Sequence, residues 1–248
     1  MDRLIYIAMN GAKHALERQA IVANNMANAS TTGYRAIAAT FRALPVFGPG
    51  AATRSFVVDS TPAADMRAGP IHQTGRALDV AIRGEGWIAV QGRDGREAYT
   101  RAGDLQVSSS GALQTRSGHD VVGEGGPITL PQNSEITIAA DGTVSAIPTD
   151  SVPNAVNVVG RIKLVNPPEG SLKRSDDGLF RLDSGAAPAD PSVQLAPGAL
   201  EGSNVSMVES LVEMITHARE YETQIKLLQT AENNSRQWGQ IMNMSAAA

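Results

Sequence analysis

The longest regular pattern of apolar and polar positions lies near the end of the chain. From Ser206 to Met244, apolar or small residues recur in alternating steps of three and four: Leu211, Met214, Ala218, Tyr221, Ile225, Leu228, Ala231, Ser235, Trp238 and Met242. That rhythm predicts a helix with one long contact seam. The step from Leu228 to Ala231 is three where four was due, a local phase slip. The stretch has no Pro, and its only Gly is Gly239. At 1.5 Å per residue the helix would run roughly 57 Å, longer than a small domain is wide, so it needs a partner. Ser206 and Glu209 have the spacing of a capping box. Glu222 with Lys226 and Glu232 with Arg236 are favourable pairs one turn apart.

A second amphipathic pattern occupies residues 1–30. Ile5, Ala8, Ala12, Ala15, Gln19, Val22 and Met26 keep the same alternation, and the Ala-rich seam lets a partner helix approach closely. The pattern stops at Ala27-Asn28-Ala29-Ser30-Thr31-Thr32-Gly33, where short polar side chains compete for the backbone and Gly33 permits positive φ. Residues 31–75 have little regular pattern and carry Pro45, Gly48, Pro49, Gly50, Pro62, Gly69 and Pro70. They read as an irregular, partly extended connector.

From Leu78 the period becomes two. LDVAI and WIAVQ flank Arg83-Gly84-Glu85-Gly86. Asp94-Gly95, Ser110-Gly111 and Asp141-Gly142 separate further short strand-like runs, and Asp177-Gly178 precedes LFRL. These are hairpin signatures, since primed turns need a residue that tolerates positive φ. Residues 183–198, rich in Ala, Pro, Gly and Asp, read as a return connector. The expected architecture is α+β. The terminal helices, residues 1–30 and 201–248, pack as a coiled-coil-like pair. An antiparallel β domain of sandwich or barrel type, residues 76–200, is inserted between them.

Composition narrows the function more than the fold. The chain has 248 residues and a net charge of −4 with no basic patch, which disfavours nucleic acid as a partner. There is no Cys, which removes disulfides, thiolate metal sites and Cys nucleophiles. No apolar run approaches the length of a membrane span, so no direct membrane insertion is expected. The first residues do not read as a cleaved secretory signal, because Asn10, Lys13 and His14 interrupt a short apolar segment.

Candidate chemistry is sparse. His14, His72, His119 and His217 are isolated, with no second ligand a helical turn away. The Asp-Gly pairs lack an EF-hand or nonapeptide frame and read as turns rather than Ca²⁺ ligands. The runs Gly84-Glu85-Gly86 and Gly123–Gly126 lack a P-loop Lys-Ser/Thr. Nothing marks a catalytic pair, so neither an enzyme nor a cofactor is expected. The alternatives are a self-contained extracellular or phage-tail-like fibre subunit and a carbohydrate-binding or hydrolytic β protein. The last would need a concave site with convergent polar groups.

Several blocks together resemble the flagellar rod and hook family of axial proteins. They include MDRLIY, Ala23-Asn24-Asn25-Met26-Ala27-Asn28, Thr31-Thr32-Gly33-Tyr34-Arg35, Ser60-Thr61-Pro62, Tyr99-Thr100-Arg101, Leu200–Val205, and Val208, Met214, Ile215, Arg219, Tyr221 and Glu222. The opening MDRLIYIAMNGA, the stretch RSDDGLFRL and the ending TAENNSRQWGQIM favour the proximal-rod branch over the distal rod. The resemblance implies a structural subunit whose terminal helices build the inner tube of a helical rod in the basal body. That rod spans the periplasm, transmits torque and encloses an export channel. It also implies as partners other copies of the chain, other proximal- and distal-rod proteins and the type III export apparatus. The expected assembly residues are Ile5, Ala8, Ala12, Ala15, Val22, Asn25, Met26, Asn28, Gly33, Tyr34, Asn204, Leu211, Met214, Ile215, Tyr221, Ile225, Leu228 and Trp238.

Overall fold

The computed structural model describes residues 2–38, 41–45, 55–59, 63–131, 134–148, 156–168, 170–183 and 185–245. Gly48, Pro49, Gly50, Ser60, Thr61 and Pro62, and the side chain of Met242, lie outside the described residues. The chain divides into two compact units. One comprises Met1–Ala27, Ile37–Ala63 and Ser206–Ala248, the other Asn28–Ala36 and Ala64–Val205.

The first unit is built on helices α1 (Asp2–Ala27) and α2 (Met207–Ser245). They pack against each other antiparallel. Gly11 of α1 faces Gln224, and seven residues on Arg18 reaches back to Glu220, Nη1 to Oε2 3.7 Å. A Cβ on Gly11 would lie 2.8 Å from Gln224 Cδ, so this glycine allows the close approach. The three-four rhythm places Ala8, Ala12, Ala15 and Val22 in buried positions on α1. On α2 it brings Met214, Ala218, Tyr221, Ile225 and Leu228 to half-buried positions and closes on buried Ala231. The helices differ in length, 26 residues against 39. With Gly11 opposite Gln224, the first turn of α1 lies level with about residue 233 of its partner, and residues 232–238 of α2 are exposed. Ser206 Oγ accepts the Glu209 N–H at 3.4 Å, which is one arm of the expected capping box.

The expected connector contains an antiparallel strand pair, Phe41–Pro45 with Ser55–Asp59. Its strands have no alternating pattern clear enough to declare it in the sequence.

The second unit is antiparallel throughout its main sheets. A five-stranded sheet runs in the order Leu164–Val165, Trp87–Gln91, Glu97–Thr100, Phe180–Leu182, Leu172–Arg174. A three-stranded sheet comprises Ser134–Ile138, Thr143–Pro148 and Asn157–Arg161, with a register shift between Val144 and Ser145. The core alternates with the pleat: Val80, Ile82, Ile88, Val90, Leu105, Leu113, Val144 and Leu195 are closed to solvent.

The Asp-Gly pairs are turns. Gly95 and Gly142 have φ of 76° and 87°, and the Asp141 carboxylate accepts the Thr143 N–H at 3.0 Å and its hydroxyl at 2.7 Å. One expected hairpin is absent. Val80–Arg83 turns away from Trp87–Gln91 and pairs with Gln194–Pro197. That partner lies inside the expected return connector, where the inward Val193 and Leu195 are the only strand signal. Gly86, at φ 127°, lets the chain turn under the Val193 side chain.

Candidate assembly surface

The residues singled out for assembly fall into a helix seam and a clasp at the ends of the β unit. In the seam, Ala8, Ala12, Ala15 and Val22 are buried, and Ile5 and Met26 are half-buried. Met214, Tyr221, Ile225 and Leu228 are half-buried, and their rhythm follows the face turned to α1. Leu211, Ile215 and Trp238 lie off that face or beyond its end and are exposed, by 45%, 55% and 60%. Asn25 closes the far end of α1. Its amide donates to the Ile37 carbonyl at 2.9 Å and accepts the Ile37 N–H at 2.8 Å. On the helices, His14 and His217 each sit beside a Glu three residues on, Glu17 at 2.9 Å and Glu220 at 3.1 Å.

The clasp lies wholly within the β unit. Asn28 begins the turn by accepting the Thr31 N–H on its carbonyl at 3.1 Å. Gly33, at φ 66°, donates its N–H to the Glu201 carbonyl at 2.8 Å. A Cβ there would lie 2.3 Å from the Arg101 carbonyl carbon. Tyr34 is buried with the Arg174 guanidinium 4.6 Å from its ring centroid, and Arg174 Nη1 donates to the Arg35 carbonyl at 2.9 Å. Asn204 uses its whole amide: Oδ1 accepts the Ala36 N–H at 2.7 Å, and Nδ2 donates to the carbonyls of Asp65 and Arg67 at 2.9 and 3.0 Å.

Beneath these contacts sits a buried charge cluster that the sequence pattern did not reveal. Glu201 Oε1 lies 2.7 Å from Arg35 Nη2, and its Oε2 accepts from Arg101 Nη1 at 3.0 Å. Oε1 also accepts the Gly69 N–H, and Arg101 Nη2 donates to the Gly84 carbonyl at 2.9 Å. Both guanidiniums lie within 6 Å of the Trp87 ring centroid, at 5.9 and 5.3 Å. Burial pushes the Arg101 pKa down, and the Glu201 carboxylate opposes that shift. A signal was available. Glu201 shares the buried phase of the strand Ala199–Glu201 with Ala199, and a carboxylate at a core position requires a buried cation.

A cavity of about 650 Å³ opens beside Trp87 and Arg101, walled by Met66, Pro167, Pro168 and Leu172. Two of its charged groups already have partners. Asp65 is held by Arg67, which keeps its carboxyl below the usual range, and Arg101 by Glu201. Among the described residues, no group of three or more His, Asp or Glu is placed to hold a metal ion, and no helix is long and apolar enough to cross a membrane.

Paired antiparallel terminal helices with an antiparallel β unit inserted between them in the chain define the class: a helix-ended α+β protein. Three family descriptions match in register with these parts. "Flagella basal body rod protein" covers residues 5–35, "Flagellar hook protein FlgE/F/G D1 domain" residues 81–146, and "Flagellar basal body rod FlgEFG protein C-terminal" residues 196–241. The chain is 49% identical to the flagellar basal-body rod protein FlgF of Salmonella typhimurium and 46% identical to that of Escherichia coli, each over 99% of this chain and 100% of the relative. It is 34% identical to FlgF of Caulobacter vibrioides over 95% of this chain and 96% of the relative. The chain belongs to the FlgF family of flagellar basal-body rod proteins.

Proposed function

We propose that the chain is a structural, non-enzymatic subunit of the proximal rod of the bacterial flagellar basal body. Its terminal helices assemble helically with other copies and with other proximal- and distal-rod proteins. Together they form part of the shaft that transmits torque and encloses the export channel. The observation that carries this reading is end-to-end similarity to FlgF rod proteins, with each matched block falling on a distinct structural part: α1 and its clasp, the β unit, and α2. The subunit reaches the rod, which spans the periplasm, through the flagellar type III export apparatus. A place in the distal rod is less supported, because the relatives at 46–49% identity are named FlgF.

The helices have a second role on this reading. In the free chain they are thinly covered, so they gain most of their order on assembly. The experiment is deletion of the gene with complementation by a tagged copy. Loss of motility, its recovery, and the tagged chain in purified basal bodies are expected. Basal bodies that mature without the chain would overturn the assignment.

A further inference from the structure

The last segment of the β unit, residues 193–204, makes its contacts with parts of the chain that come long before it. Gln194–Pro197 pairs with Val80–Arg83, and Ala199–Glu201 with Ile71–Gln73. The Leu195 N–H donates to the Ala140 carbonyl, the Gly198 N–H to the Asp79 carbonyl and the Gly202 N–H to the Pro70 carbonyl, each at 2.8 Å. In return the Gly198 carbonyl accepts the Thr74 and Gly75 N–H groups at 2.8 and 3.0 Å. Glu201 accepts the Gly33 N–H on its carbonyl and the Gly69 N–H on its carboxylate. Other strand pairs of the unit join near neighbours in sequence: Trp87–Gln91 with Glu97–Thr100, Leu105–Val107 with Leu113–Thr115, and Ser134–Ile138 with Thr143–Pro148.

Four losses fall together when this segment is undocked. Val80, Ala81 and Ile82 are closed to solvent, and their strand would lose its ladder partner. Val193 and Leu195 would leave their places in the core and open a cavity there. Arg35 and Arg101 are buried against the one carboxylate of Glu201, and without it both guanidiniums would stay in the interior with no counter-charge. The N–H groups of Gly33, Gly69, Thr74 and Gly75 would lose their acceptors. What remains is a set of local hairpins, and a lone hairpin is marginal in water.

We propose that residues 193–204 are a closing latch for the β unit. The earlier part of the unit, residues 28–36 and 64–192, holds no stable tertiary structure until the latch docks, and the unit then folds in one cooperative step. The latch is the last part of the unit in chain order, and the Gly69, Arg101 and Ala36 contacts it makes span 132, 100 and 168 positions. Such closures carry the largest loop entropy in the unit. A chain made or threaded N-terminus first therefore stays open until almost the whole unit has emerged. The inference concerns the folding of the β unit alone and does not depend on the assembly reading.

Native-state hydrogen exchange of the dilute full-length chain, read amide by amide across a series of low urea concentrations, tests this. The latch probes are the amides of Leu195, Gly198 and Gly202. The core probes are Ala89, Leu113 and Val121, which donate to the carbonyls of Lys163, Ile128 and Leu113, away from the latch. Both sets are expected to exchange only through global unfolding, with protection equal to within about threefold and the same urea dependence. Latch amides at least about tenfold less protected than the core, with a weaker urea dependence, would mean that the core stands with the latch open, and would overturn the proposal. Gly198→Ala gives a second reading. Gly198 has φ 67°, and an added Cβ meets nothing closer than 3.7 Å, so the penalty stays in the latch backbone. Latch and core probes are expected to lose protection by one common factor of roughly 5- to 30-fold. A loss confined to the latch amides overturns the proposal as well.

Discussion

Arg35 and Glu201, 166 positions apart in sequence, meet with Nη2 2.7 Å from Oε1, and both side chains are closed to solvent. Two arginines share this one carboxylate. Removing it leaves two buried guanidiniums without their counter-charge. Glu201→Gln is therefore expected to destabilise the β unit by about 3–5 kcal/mol. Urea unfolding of the purified chain, followed through the near-UV signal of buried Trp87, checks this; a loss below about 1 kcal/mol would show that the cluster is not a structural keystone.

Gly33 is constrained twice, by its positive φ and by the Arg101 backbone. Gly33→Ala is expected to cost at least about 2 kcal/mol, since left-handed backbone disfavours a side chain and the carbonyl must move. Gly125, which has open space around it, is the control, and Gly125→Ala should leave the melting temperature nearly unchanged.

Ile225 faces α1 from the middle of α2, half-buried. Ile225→Asp is expected to abolish rod assembly and motility, because a carboxylate in that seam costs about 2–3 kcal/mol at every copy. The near-UV spectrum of the β unit should stay native. Motile cells with normal rods would remove the seam from the assembly argument.

Hydrogen exchange separates the two units. The amides of Ile88, Val90 and Leu105 lie in a closed core and should exchange slowest in the dilute chain. The helices at residues 2–27 and 207–245 should exchange far faster, and slow only in assembled rods. Equal protection of helices and β core in dilute solution would refute ordering on assembly.

The pH dependence has a definite sign at Asp65. The Arg67 side-chain hydrogen bond is the chief reason its folded pKa lies below the ordinary 3.8. A depressed carboxylate contributes stability above its unfolded pKa and loses it as pH falls through the folded value. The β unit should therefore lose stability below about pH 4. Asp65→Asn should flatten that part of the curve, measured as melting temperature against pH.

The terminal helices were legible because a three-four rhythm sustained over many turns matches the helical period and neither a strand nor a loop. Asp141-Gly142 and its counterparts were legible because the turn chemistry is local. The partner of Val80–Arg83 was not, since that strand pairs with residues more than 110 positions away through a segment dense in Pro and Ala. The charge cluster was hidden for a similar reason: Glu201 looks like an ordinary surface charge until its strand, Ala199–Glu201, pairs with Ile71–Gln73, and its cations Arg35 and Arg101 are distant in sequence. The seam of α2 was plain as a pattern. Where it stops being covered depends on the length and register of α1, which α2's own sequence does not state.

The clasp bears on how this chain can vary. Ala36 and Asn204 are joined by a single 2.7 Å hydrogen bond, and Gly33 and Glu201 by another of 2.8 Å, so the polypeptide leaves the β unit almost where it came in. Residues 65–204 form one closed loop whose ends are tied, Asn204 Nδ2 donating to the Asp65 carbonyl at 2.9 Å. Segments can be lengthened, trimmed or exchanged at exposed turns, such as that around Gly95, without altering those tied ends. Such a chain can change what it shows on its β surface while keeping the ends that build the shaft, and tags or epitopes placed at those turns should be carried without loss of motility.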